Sequence, residues 1–325
     1  MLIMIQSRRP STFPNPSRPP ELIPAIKPTK LIKRYRVDDA EGFRLAAFDP
    51  ADTGGLDLDK DNANAMLAQD IERLASLQER LYAYDRWALL VVLQGMDAAG
   101  KDGAIKHVTS GINPQGCEVY PFKPPTAEEL NHHFLWRTAI RLPEQRHIGI
   151  FNRSHYEEAL VVRVHSDMLA RQKFPDKLVT KNIWKERFKD IRALERHLAR
   201  NGVAVLKLFL HISKEEQRRR LLTRLDGPAK RWKFSLGDIA ERKLWDKYMA
   251  AYEDMIHAIG QPEARWYVVP ADHKWFAQLL VAGAMIEALE GLDLQFPKIE
   301  GAALKELQKV RAALVAEERG KRSSK

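Results

Sequence analysis

The most constraining feature of this chain is a continuous apolar run, Trp87-Ala-Leu-Leu-Val-Val-Leu-Gln94, that ends directly on a glycine. A run of that length without polar alternation fits a strand buried on both faces, as in a parallel sheet covered by helices. It leads into Gly95-Met-Asp-Ala-Ala-Gly-Lys101-Asp-Gly103, a G-x-x-x-x-G-K arrangement set before a helical segment. Glycines there let the backbone curl until successive amides face an anion, the following helix adds its positive end, and the lysine reaches the outer phosphates. Gly95, Ala98, Ala99, Gly100, Lys101, Asp102 and Gly103 are therefore the expected phosphate-binding residues of this loop.

Four further strand candidates follow, at Cys117 to Phe122, His147 to Phe151, Val203 to Ile212 and Arg265 to Val269, separated by helical stretches long enough for crossovers. That alternation predicts a three-layer α/β/α domain with a central parallel sheet of about five strands. Between Asn62 and Asp85 the residues Met66, Ile71, Leu74, Leu77 and Leu81 recur at helical spacing and predict an amphipathic helix before the first strand. Ser213 with Glu216 is a capping box that opens a later helix, and Ser235 with Asp238 marks a weaker start. The domain is expected over residues 31–300, with a helical lid over about 213–240. Residues 1–30 are proline-rich and read as a disordered or surface-draped arm. Residues 301–325 read as a C-terminal helix and basic tail, the stripe Leu304, Leu307, Val310 and Leu314 suiting a packing or oligomer helix.

Composition narrows the function classes. The single cysteine, Cys117, allows no intrachain disulfide and there is no Cys/His array for zinc, so a cytoplasmic setting is expected. There is no apolar run of about 18 residues, and the N-terminal stretch, with two arginines and several prolines, is expected to be neither a membrane span nor a signal peptide. The formal charge of +10 draws polyanions, be they nucleic acid, anionic lipid or phosphate-rich small molecules. The tail Arg319-Gly-Lys-Arg322 reads as a solvated end.

The loop departs from its usual pattern at Asp102, where a magnesium-binding hydroxyl is common. Asp97, inside the loop, is the natural metal ligand, since a carboxylate beside phosphates needs a cation or a proton between them; a turn-stabilising role is the alternative. At the end of the third strand Asn152 stands where an acidic residue would be usual, so Glu157 or Glu158 must supply the missing charge. Adjacent on a helix, these two point about 100° apart and only one faces the cleft, for which Glu157 is favoured. Arg153 could bridge two phosphates, or serve a structural ion pair. Farther on, Arg218-Arg-Arg-Leu-Leu-Thr-Arg224-Leu-Asp-Gly-Pro-Ala-Lys230-Arg-Trp-Lys233 is a helix broken at Gly227-Pro228 and followed by a basic turn. It suits a mobile lid that brings Arg224 to the phosphates, with a solvated basic face as the alternative and Arg218 and Arg219 the most plainly solvated.

Taken in order, Leu93-Gln-Gly-Met-Asp-Ala-Ala-Gly-Lys-Asp-Gly103, Ser110-Gly-Ile-Asn-Pro-Gln-Gly116, Phe122-Lys-Pro-Pro, Phe134-Leu-Trp-Arg137, Ile150-Phe-Asn-Arg-Ser-His-Tyr-Glu157 and Pro228-Ala-Lys-Arg-Trp-Lys-Phe-Ser235 resemble the polyphosphate kinase type 2 family, in particular its third class. The resemblance runs from about Lys33 to Phe296. It implies a three-layer α/β/α P-loop kinase-like fold, with Asp97 and Lys101 in the Walker-A role, Arg153 on the Walker-B edge, and Arg224, Lys230 and Lys233 in the lid. Asn152 followed by His155-Tyr-Glu157 looks like the third class and implies AMP and ADP as acceptors. Lys123 and Arg137 match motifs near the cleft and are carried over as phosphate or nucleotide contacts. The implied cofactor is Mg2+ on Asp97 and Glu157, with no organic cofactor; the implied partners are inorganic polyphosphate, adenine nucleotides with guanine nucleotides as further candidates, and further copies of the chain in a homo-oligomer, but no nucleic acid and no membrane. Two rivals stay open: an ATP-dependent nucleoside monophosphate kinase, told apart by its donor, and a basic nucleic-acid-binding protein in which Trp232 near Lys230 stacks on bases.

Overall fold

The computed structural model of the chain describes residues 28–58 and 60–323, so most of the expected N-terminal arm lies outside the described residues. In chain order the helices and strands are α1 (Pro28–Ile32), α2 (Lys60–Tyr84), β1 (Ala88–Gln94), α3 (Lys101–Val108), β2 (Cys117–Pro121), α4 (Trp136–Ala139), β3 (Ile148–Asn152), α5 (Val161–Val164), α6 (Ile183–Arg200), β4 (Val203–His211), α7 (Lys214–Asp226), α8 (Leu236–Lys243), α9 (Trp245–Ile259), β5 (Trp266–Pro270), α10 (Lys274–Glu290) and α11 (Gly301–Ser323).

All five strands are parallel, in the order β2-β3-β1-β4-β5. β1 is the middle strand and every one of its residues is buried, which is why its sequence carries no alternation. β2 is an edge strand, and its exposed Glu118 and Val119 depart from the apolar pattern for that reason. The largely buried α10 packs with α1, α2 and α3, while α6, α9 and α5 form the other layer. The three-layer fold expected from the alternation of strands and helices is the one observed, with strand ends within one residue of those read from the sequence.

Two elements differ from expectation. Residues His155–Glu158 form a single 3-10 turn rather than an α-helix, because Ser154 caps it by accepting from the Tyr156 amide and Leu160 leaves helical geometry. In α11 the stripe Leu304, Leu307, Val310 and Leu314 is 43–60% exposed, so that helix does not pack on the described core of its own chain. The capping box at Ser213 is present, its Oγ accepting from the Glu216 amide at 3.1 Å. At Ser235 the hydroxyl accepts from Gly237 N instead.

One core residue works against stability. Asp70 of α2 is 5% exposed, and its Oδ2 has no hydrogen-bond partner among the described residues. Burial pushes its carboxyl up to about 7 against the pull of Arg73. A folded-state value raised above the unfolded one stabilises the protein below about pH 4, and that contribution is lost as pH rises to about 7. Asp70→Asn is therefore expected to raise unfolding free energy at pH 8 by on the order of 2 kcal/mol and to change it little at pH 4, as measured by urea denaturation at both.

Candidate active site

The chain passes from one side of β1 to the other between β3 and β4, so the end of β1 opens onto the crevice where open α/β sheets bind ligands. The register puts Leu93 opposite Asn152 and Gln94 opposite Phe209, which brings the ends of three strands together at the loop 95–100. Gly95 leaves the strand so close to β4 that a Cβ would lie 2.9 Å from the Leu210 carbonyl oxygen. Gly100, at φ 110°, then hands the chain to α3. Ala98 holds a left-handed φ of 65° that costs roughly 1 kcal/mol in a residue with a Cβ, a strain the surroundings must sustain.

The loop is held from behind through its carbonyls. Lys101 Nζ donates to Gly95 O at 2.5 Å and Met96 O at 3.2 Å. Gln217 Nε2 donates to Asp97 O at 2.9 Å, and Arg220 Nη1 to Ala98 O at 3.0 Å and Ala99 O at 2.9 Å. The other arm of Arg220 reaches Ala271 O and Asp272 O, just beyond β5, and its Nε donates to Glu216. Arg220 is 7% exposed, whereas the Arg218 and Arg219 side chains are 58% and 69% exposed on Glu215 and Glu216, as expected of solvated residues. Sequence reasoning passed over Gln217 and Arg220. The available signal was helical spacing from the Ser213 cap, which puts Gln217, Arg220 and Leu221 on the face turned from solvent.

In front of the loop lie the charges. Arg153 has φ 65° and donates its amide to Leu93 O, so its side chain turns back over β1. Its Nη2 donates to Asp97 Oδ1 at 2.5 Å and its Nη1 lies 3.5 Å from Glu157 Oε2. The structure thus brings together Asp97, Lys101, Arg153 and Glu157, with the guanidinium bridging two carboxylates. Glu158 points the other way and is buried on Arg187. Burial pushes the Glu157 carboxyl up, with Arg153 and Lys101 opposing it, while Glu157 and Asp97 hold the Arg153 guanidinium well above its ordinary range. Burial, reinforced by Arg153, pushes Lys101 down to about 8. Asp102 and Asn152, the two departures from the usual loop pattern, are joined to each other: Asn152 Nδ2 donates to Asp102 Oδ1 at 2.7 Å.

Arg224 lies 3.5 Å from Asp238 of α8, whose carboxyl is raised by burial and by the nearby charge of Asp97, so this end of α8 faces the same cleft. Asp238 enters the sequence reading only as a weak helix start, and its acidity toward the cleft is a tertiary fact. Arg137 pairs with Glu129 at 3.3 Å, donates to Lys123 O at 2.7 Å and feels the charge of Glu157; Lys123 itself is exposed. Lys230 and Lys233 belong to the 3-10 helix Pro228–Lys233, and their side chains lie outside the described residues.

Two carboxylates at the mouth of a phosphate loop match a divalent cation that takes its remaining ligands from substrate phosphates and water. Among the described residues no group of three or more His, Cys, Asp or Glu could hold a metal by itself. Asp97 and Glu157 would hold such a cation, with Arg153 exchanging carboxylate oxygens for phosphate ones.

Known proteins resemble the chain over most of its length. The model of the polyphosphate kinase 2 family matches residues 57–297. The ADP-polyphosphate phosphotransferase of Rhodopseudomonas palustris is 46% identical over 284 residues, covering 87% of this chain and 98% of that protein. The AMP/ADP-polyphosphate phosphotransferase of Meiothermus ruber is 46% identical over 274 residues, covering 84% and 98%. The crystal structure of polyphosphate kinase 2 from Arthrobacter aurescens TC1 superposes with a TM-score of 0.79 at 39% identity, covering 90% of this chain and 98% of that one.

Lys101 must be protonated to attract phosphate, so raising pH through about 8 should lower kcat/KM by about tenfold per unit beyond that point. Bound phosphates restore the charge, so the same limb should appear at higher pH in kcat; coincident limbs in the two profiles would contradict the assignment. Arg220→Lys keeps the charge but loses the planar fork, and is expected to raise KM for both substrates about tenfold in steady-state kinetics.

Proposed function

The chain belongs to the polyphosphate kinase 2 family, and on that premise we propose that it phosphorylates AMP to ADP and ADP to ATP from inorganic polyphosphate, with Mg2+ as its divalent cation. Phosphoryl transfer between polyphosphate and adenine nucleotides is the reaction. The observation that carries the residue roles is Arg153 between Asp97 and Glu157, directly in front of Lys101.

Phosphoryl transfer asks a protein mainly for alignment and for neutralisation of charge spread over the transferred group. The loop amides and Lys101 hold one set of phosphate oxygens. Arg153 keeps two carboxylates from repelling each other and offers a fork that fits two phosphate oxygens. Mg2+ on Asp97 and Glu157 supplies further neutralisation when bound. The acceptor phosphate is already ionised, so no general base is needed. Arg224, on the helix that leads to Gly227 and Pro228, approaches as residues 213–240 close over the substrates, with Lys230 and Lys233 following on the same segment. Lys123 and Arg137 border the acceptor side. The +10 charge draws the long polyanion to this edge. Guanine nucleotides are further acceptors in this reading, and the exposed stripe of α11 suits a homo-oligomer.

The test is ATP formation with long-chain polyphosphate and Mg2+ as the only other components, starting from AMP and separately from ADP. Synthesis from both is expected; synthesis from ADP alone would remove AMP from the proposal, and reaction of ATP with a nucleoside monophosphate but not of polyphosphate would make the chain a conventional nucleotide kinase. Asp97→Asn, Lys101→Ala and Glu157→Gln should each lower kcat by on the order of a hundredfold or more while far-UV circular dichroism stays unchanged.

A further inference from the structure

Glu157 stands in a turn whose two neighbouring residues are both fastened to α6. On one side Tyr156, fully buried, donates its hydroxyl to Glu195 Oε1. Glu195 is 1% exposed and accepts also from Lys207 of β4, at 3.0 and 2.9 Å, and from Gln261 at 2.7 Å. Lys207 completes its own shell on Ile259 O. On the other side Glu158 lies 3.1 Å from Arg187 Nε and accepts from Gln172 at 2.7 Å, and Gln172 accepts in turn from Arg187 Nη2. The Arg187 guanidinium is held between the rings of Phe134 and Phe174, 4.2 and 4.5 Å from their centroids.

Two buried ion pairs beside one short turn are not accounted for by stability. Desolvation of buried charges roughly cancels their attraction, and apolar residues of the same volume commonly serve a core as well. What such pairs do supply is a fixed direction, because a buried charge held by an opposite charge and by neighbouring hydrogen bonds resists turning. The carboxylate between them is fixed as well. In the amide orientation that satisfies both its polar atoms, Gln94 at the end of β1 donates to Glu157 Oε1 at 2.8 Å and accepts from the Ser154 amide and hydroxyl. The other oxygen of Glu157, Oε2, faces Arg153.

We propose that Glu195 and Arg187 of α6 are positioning residues for phosphoryl transfer, which by holding Tyr156 and Glu158 fix the direction in which Glu157 presents its carboxylate to the divalent cation. The proposal rests on the role given to Glu157 above. Tyr156→Phe removes one hydroxyl and Arg187→Lys removes the fork while keeping the charge, so both preserve most of the packing. The measurement is Mn2+ affinity in the presence of ADP, read from the electron paramagnetic resonance of free Mn2+, so that an inactive variant still reports. Each substitution should weaken Mn2+ binding about threefold to tenfold, and neither should weaken it further in a Glu157→Gln background. The same weakening in that background would show that the two residues act by another route, and a lower melting temperature with unchanged Mn2+ affinity would show a purely structural role; either overturns the proposal. Wild-type Mn2+ affinity in Glu157→Gln alone would instead remove Glu157 from the metal site, and the positioning role with it.

Discussion

A loop that turns its amides toward an anion turns its carbonyls the other way, and those carbonyls need donors. The rest of the site depends on how this chain meets that demand. Lys101, Gln217 and Arg220 between them satisfy the carbonyls of residues 95–99. Arg220 does so while also binding the carbonyls after β5, so one guanidinium joins the phosphate loop, α7 and the β5–α10 connection. The left-handed Ala98 is tolerable because its carbonyl is held in this way. Arg224 lies one turn farther along α7, so the helix that carries it is fastened to the phosphate loop through Arg220.

The charge balance in front of the loop follows from the same crowding. A buried lysine, an arginine and two carboxylates occupy the end of β1, and the charges of Arg153, Asp97 and Glu157 all act on Lys101. The arginine is the counter-ion that lets Asp97 and Glu157 stand near each other, and it is also the group best shaped to hold phosphate. Asn152 and Asp102 share a hydrogen bond where an acidic strand end and a hydroxyl would be usual.

Behind the turn His155–Glu158 the protein uses charge again, now fully buried. Lys207 with Glu195 and Arg187 with Glu158 belong to the layer of α6 and are 0–6% exposed. His155, in the same turn, is pushed down to about 3 by burial and by the charge of Lys207, and stays neutral. An uncharged imidazole next to a charged lysine lets the network hold the turn without adding positive charge to the cleft.

The sequence by itself determined the sheet, the loop and the place of the site. A strand without alternation, a glycine-lysine loop and strands spaced by helices leave few other arrangements, because burial on both faces and a curled anion-binding backbone each demand particular residues at particular spacings. It also indicated that only one of Glu157 and Glu158 faces the cleft, although on the expectation of an α-helix where a 3-10 turn stands. Tertiary structure alone decided which arginine in Arg218-Arg-Arg is buried, that Asp102 and Asn152 meet across fifty residues, and that Asp238 faces Asp97. It alone decided that the α11 stripe faces outward. These are matters of which helix face meets which neighbour, and local periodicity says that a face is buried or polar without saying against what.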